Sequence, residues 1–208
     1  MNFKSIVRPL VKEIEIEIEI ESRPCPDQYV GLVGEIRDEK KFRRKPISSR
    51  PDKPALILIL ESPHIKEFDE KLGSPGPAKG PTGTNIAKYI TEVYGLENAY
   101  EMPLLLINAV QYQCSLGKPT KEHRDEVFQK TWEGGGRSDF VDRMSKIYQK
   151  GDILVCACTK GNLSGGNELR RLVYLELLKA FPQDALLRRC HPTTWNIPSR
   201  RVLVWDIN

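Results

Sequence analysis

The sequence predicts an α/β protein, a three-layer sandwich around a central sheet of four parallel strands. From residue 50 onward, apolar runs of strand length alternate with amphipathic stretches of helical period, the pattern of crossover connections in a parallel sheet. The 208 residues, 39% hydrophobic and 29% charged, suit one domain of ordinary size and exclude a mainly disordered or collagenous chain. The longest apolar run, residues 55–60, is far too short to cross a bilayer, and the N-terminus lacks the apolar core of a signal peptide. A soluble, cytoplasmic, monomeric protein with no membrane partner is the expectation.

Taken in order, residues 1–54 form an N-terminal extension and residues 55–208 the sandwich, together one structural unit. Glu and Ile alternate from Glu13 to Glu21, a period of two that suits a strand with one wet face, although a helix also accommodates it. Residues 37–53 are rich in Lys and Arg and punctuated by Pro46 and Pro51, which reads as a basic loop; on the charge run alone, a solvated face is the simplest account. The strands are expected at residues 55–60, 104–110, 153–157 and 185–190. Helices fit residues 84–93, 121–132, 139–149 and 167–181, the last with Leu169, Leu172, Val173 and Leu177 on one face. Five cysteines, an odd number with no Cys-x-x-Cys pair, give neither a disulfide framework nor a metal signature. Cys156 and Cys158, two apart in an apolar stretch, are expected as reduced core residues.

In an open parallel sheet, ligands bind beyond the carboxyl ends of the strands. That edge receives Glu61, Ser62, Pro63 and His64 after the first strand, Asn108 in the second, residues 159–166 after the third, and residues 191–195 after the fourth. Singly, each polar residue has a structural explanation: Glu61 as a turn cap, Asn108 bonding its own backbone, His191 as a satisfied loop imidazole. Together a carboxylate, an amide and an imidazole converge on one rim. Residues 73–83 are the most glycine- and proline-rich stretch and run directly into a helix, where close backbone approach and a helix N-terminus suit a phosphate or an anionic leaving group. The stretch is not a P-loop, and a flexible surface loop is the alternative.

The order of these motifs resembles the uracil-DNA glycosylase superfamily. The matching features are a strand ending in Leu60-Glu61-Ser62-Pro63, then Gly80-Pro81-Thr82-Gly83 opening a helix, an apolar strand ending in Asn108-Ala109-Val110, and His191-Pro192-Thr193. The first motif is nearest the Gly-Glu-Ala-Pro branch, and the likeness spans about residues 55–195. The resemblance implies that Glu61 orients or deprotonates the attacking water, that Asn108 reads the edge of an extruded base, and that His191 stabilises the departing base. It further implies that Gly80, Pro81, Thr82 and Gly83 line the phosphate and base entrance, and that Thr193, Thr194 and Trp195 lie in the loop that inserts into the duplex. Trp195 would be its wedge.

Departures from the pattern carry their own implications. Ser62 stands where one branch has aspartate. Ala78 aligns with the aromatic ring that stacks on uracil, and His64 with a tyrosine that excludes a 5-methyl group. The base pocket, formed by Ser62, Pro63, His64, Ala78 and Asn108, is therefore expected to admit a pyrimidine with a bulky 5-substituent, with Tyr89, Tyr112 or Phe68 as replacement stacking rings. The branch's iron–sulfur cluster lacks its Cys-x-x-Cys here, so no cofactor or metal is expected. Arg37, Lys40, Lys41, Arg43, Arg44 and Lys45, with Arg188, Arg189, Arg200 and Arg201, would pair with DNA phosphates as a local patch on a chain of net charge +4. The leading expectation is a monofunctional DNA glycosylase. A non-catalytic DNA- or nucleotide-binding module and a hydrolase of free nucleosides or nucleotides are the alternatives.

Overall fold

The computed structural model describes residues 2–13, 21–115, 123–161 and 168–207. Among the described residues, six strands form one open, mixed sheet: β1 (Gln28–Leu32), β2 (Lys45–Pro46), β3 (Leu56–Leu60), β4 (Pro103–Asn108), β5 (Ile153–Cys156) and β6 (Leu186–Arg188), in the order β2-β1-β4-β3-β5-β6. Adjacent pairs among β4, β3, β5 and β6 are parallel, whereas β1 runs antiparallel to both β4 and β2. The sheet therefore differs from the expected four-stranded parallel one. Gln28-Tyr29-Val30-Gly31-Leu32 is short and interrupted by a register shift between Tyr29 and Gly31, so its strand character comes from pairing with β4 rather than from an apolar run.

Strands β3 and β4 are buried along their whole length because both sheet faces are covered. Ile57, Ile59, Leu105 and Ile107 point into one core, packed by α1 (Phe3–Glu13), α3 (Arg124–Thr131), α4 (Arg137–Ile147) and α5 (Leu169–Ala180). Leu56, Leu58, Leu60, Leu104 and Leu106 point into the other, closed by α2 (Pro81–Tyr89) and by Trp195. A short α6 (Pro198–Val202) follows. Each expected helix has a counterpart shifted by a few residues at its ends. The helix α1 comes from Phe3, Val7 and Leu10, a one-face stripe absent from the expected elements. Of the Glu and Ile alternation from Glu13 to Glu21, residues 14–20 lie outside the described residues, and Glu13 ends α1.

The basic segment is more than a solvated face. Arg50 holds Asp152 through two hydrogen bonds of 2.8 and 2.9 Å in a buried pair, and Asp152 also accepts from the Ala55 and Gln149 amides. Arg44 donates to the Pro77 carbonyl at 2.9 Å and to Gln28 and Glu39, which ties residues 75–80 to β1. Among the described residues no helix is long and apolar enough to cross a membrane.

Candidate active site

The carboxyl edge of the parallel strands opens into a cavity of about 810 Å³, lined from β3 by Glu61, Ser62 and His64, beyond β5 by Cys158, Thr159 and Gly161, and beyond β6 by Cys190 and His191. The parallel register brings these segments together. Ala109 and Val110 donate to the Leu60 and Glu61 carbonyls, and the Ala157 amide to Ile59, so pairing continues past the strand ends.

Glu61 and His191 face one another there. Glu61 Oε2 accepts the Thr159 amide at 3.1 Å and lies 3.5 Å from His191 Nε2, with both side chains largely buried. His191 caps the turn Pro192–Thr194; its Nδ1 accepts the Thr193 amide at 3.3 Å and lies 2.8 Å from Thr193 Oγ1. With Nδ1 accepting, the ring proton sits on Nε2, toward Glu61 and the cavity. Burial holds the imidazole below its usual pKa, the Glu61 charge opposes that and Arg124 adds to it, so the ring is neutral near pH 7. Asn85 on α2 fixes this loop by donating to the Pro192 and Thr193 carbonyls at 2.9 and 3.1 Å.

A second carboxyl group lines the same cavity. Glu67 is only 5% exposed; its Oε1 accepts the Ala78 amide at 2.8 Å, while Oε2 lies 3.4 Å from Asn108 Nδ2 and 3.9 Å from Cys25 Sγ. Burial pushes it up to about 8, whereas the hydrogen bonds from Ala78 and Asn108 act the other way. Sequence reasoning misses this residue. A glutamate between Lys66 and Phe68 resembles any surface acid, and only its turn, Ile65–Phe68, carries it inward.

Lys66, Lys79, Arg124, Lys160, Arg170 and Arg200 also line the cavity, so cations outnumber its acids. Lys79 is 5% exposed and donates to the Gly73 carbonyl at 2.9 Å. Arg124, Lys160 and Arg170 pair with Asp125 or Glu168. Pro81 and Thr82 reach the cavity from the start of α2. Gly80 adopts φ +85°, which glycine alone adopts readily, and a Cβ on Gly83 would lie 2.0 Å from the Ala78 carbonyl. These two glycines shape the turn, and neither lines the cavity. Their helix end is already served by Glu39, which accepts from the Gly80 amide at 2.9 Å and from Thr84 Oγ1 at 3.2 Å.

Several expected site residues lie elsewhere. Asn108 is buried beneath the cavity, its amide turned to Glu67 and Cys25, and its Oδ1 has no partner among the described residues. Ala78, fully buried with φ +57°, packs in the core below α2 and enlarges no pocket, because its side chain never reaches the cavity wall. Pro63 is buried off the cavity as well. Trp195 is a core residue rather than a wedge: it has no exposed surface, and its indole N–H donates to the Cys190 carbonyl at 2.8 Å. Arg189 is 3% exposed and donates to the Tyr94 and Arg188 carbonyls, while Arg188 covers the Tyr174 and Trp205 rings. Neither points to the cavity. Thr193, Thr194 and Arg200 do line it, whereas Phe68, Tyr89 and Tyr112 do not.

Among the described residues, no group of three or more His, Cys, Asp or Glu side chains is placed to hold a metal ion, and the five cysteines are buried and free. No family model matches the chain, and neither a curated protein nor a solved structure matches it.

Proposed function

We propose that the protein hydrolyses the N-glycosidic bond of a pyrimidine nucleotide extruded from DNA, leaving an abasic site. The observation that carries this reading is the Glu61–His191 pair, a carboxylate and a neutral imidazole N–H facing one cavity at the sheet edge. Breaking the bond between C1′ and the base nitrogen builds positive charge on the sugar and negative charge on the base. Glu61 accepts a proton from water as the water oxygen bonds to C1′, and the bond's electron pair departs with the base. The Nε2 proton of His191 hydrogen-bonds to that developing anion. Lys66 and Arg200, both exposed on the rim, suit the flanking phosphates. At about 810 Å³ the cavity has room for a substituted base, a size argument that rests on the cavity itself and not on Ala78.

The burial of Trp195 favours a second reading, hydrolysis of free nucleotides, since the residue expected to fill the vacated stack is locked into the core. One assay separates the readings. DNAs and free nucleotides carrying uracil, cytosine or 5-hydroxymethylcytosine are incubated with wild type and with Glu61→Gln, and base release is followed. Release from DNA that falls ~10²–10⁴-fold in the variant, with DNA binding retained, supports the glycosylase. Release from nucleotides alone supports the second reading, and equal rates in the two proteins remove Glu61 from the chemistry.

A further inference from the structure

Glu67 has no cationic partner within ion-pair distance among the described residues, although it lines a cavity rich in lysine and arginine. The groups that act on it electrostatically are Glu61, Arg44, Lys79 and the Cys25 thiol, each from a different segment packed around it. Its contacts accept either protonation state. The Ala78 amide needs only one oxygen, and Asn108 presents Nδ2 to Oε2 while its own buried Oδ1 lacks a partner. A half-turn of that amide offers Oδ1 to a proton on Glu67. A buried carboxyl group with an adaptable partner and an open cavity face is built to hold a proton and to give it up.

His191 cannot be that donor. Its Nε2 proton belongs to a neutral imidazole, which stabilises an anion by hydrogen bonding but is too weak an acid to part with the proton. A uracil-type anion, its charge spread over two carbonyls, departs under hydrogen bonding alone. A cytosine-type base has lost one of those carbonyls and departs readily only when protonated.

We propose that Glu67 is a second catalytic carboxyl group, the acid that protonates the departing base, and that the site accordingly takes aminopyrimidines of the cytosine type. This rests on the glycosylase reading of Glu61 and His191. As the C1′–N1 bond breaks, its electron pair enters the base ring and the Glu67 proton passes to the base at N3 or O2. Glu61 meanwhile takes the proton of the water whose oxygen bonds to C1′. The products are the abasic hydroxyl and a neutral base, with Glu67 ionised and Glu61 protonated. Exchange with solvent restores both.

The test is single-turnover excision of 5-hydroxymethylcytosine and of 5-fluorouracil, a base that leaves well as an anion, from DNA by wild type and Glu67→Gln from neutral to alkaline pH. The wild-type rate on the cytosine-type base should fall as pH rises through about 8, where burial has moved Glu67. The variant should lack that limb and be slower by ~10²–10⁴-fold on this base, while losing less than about tenfold on 5-fluorouracil. A variant that loses both substrates equally overturns the assignment. So does a wild-type profile without the alkaline limb, which requires no variant to fold. Excision of 5-fluorouracil alone by wild type removes Glu67 and leaves the glycosylase reading in place. Release of neither base removes both.

Discussion

Replacing Glu67 by glutamine makes a claim about stability that holds whatever the protein does. The carboxyl rises from 4.5 to about 8 on folding, chiefly through burial. At ~1.36 kcal/mol per tenfold change in proton affinity, that rise corresponds to about 5 kcal/mol as a ceiling, and water in the adjoining cavity lowers it to ~2–4 kcal/mol. The sign follows from which state holds the proton. Below pH 4.5 both states keep it and the group contributes nothing. As pH rises toward 8, the unfolded chain releases the proton while the folded protein retains it, so stability falls through this window and levels off above it. The side-chain amide introduced by Glu67→Gln would keep accepting the Ala78 N–H yet never ionise. Urea unfolding of both proteins at matched pH should therefore show the variant gaining on wild type across the window, by ~2–4 kcal/mol at its alkaline end, a large share of a typical ~5–15 kcal/mol. A difference that stays flat across that range would falsify the burial of this carboxyl at the cavity wall.

Two further substitutions probe side chains buried away from the cavity. Trp195→Ala removes a fully buried indole and its hydrogen bond to Cys190, so chemical denaturation should register a loss of about 3–5 kcal/mol. Unchanged stability with collapsed DNA affinity would restore the tryptophan as a wedge. Asp152→Ala takes the counter-charge from the buried Arg50 guanidinium, which keeps only the Ile147 and Lys53 carbonyls, and leaves the Ala55 and Gln149 amides without their acceptor, so it should cost about 3–5 kcal/mol in the same assay. A cost under ~1 kcal/mol would mean that water reaches this pair and that the basic segment is solvated after all.

What the sequence makes legible follows from how strongly each segment advertises itself. Leu56–Leu60 and Pro103–Asn108 are buried on both faces and read as strands from composition alone, so Glu61 and His191 fall at the sheet edge as expected. Gln28–Leu32 becomes a strand only through its partner, and no local pattern announces it. Motif spacing locates the loops of the site but not the direction of their side chains. Ala78 and Trp195 belong to segments that touch the cavity, yet both turn into the core, because packing beneath α2 decides their orientation. Glu67 escapes notice for the converse reason, since a polar residue on a short turn carries no sign that its turn faces inward. Arg44 and Arg50 look like solvent charge because a basic run contains no mark of which members find buried acceptors.

The pairing of β1 with β4 also bears on how the chain is made. During synthesis Gln28–Leu32 leaves the ribosome well before Pro103–Asn108 exists to receive it, so the first strand, with only the two-residue β2 beside it, waits for its main partner while β3 and α2 emerge. Until it docks, the outer edge of β4, a strand with no exposed residue, presents unsatisfied backbone groups flanked by leucines. A truncation that begins at residue 55 keeps that edge open for good, and edge-to-edge association between molecules becomes its default hazard.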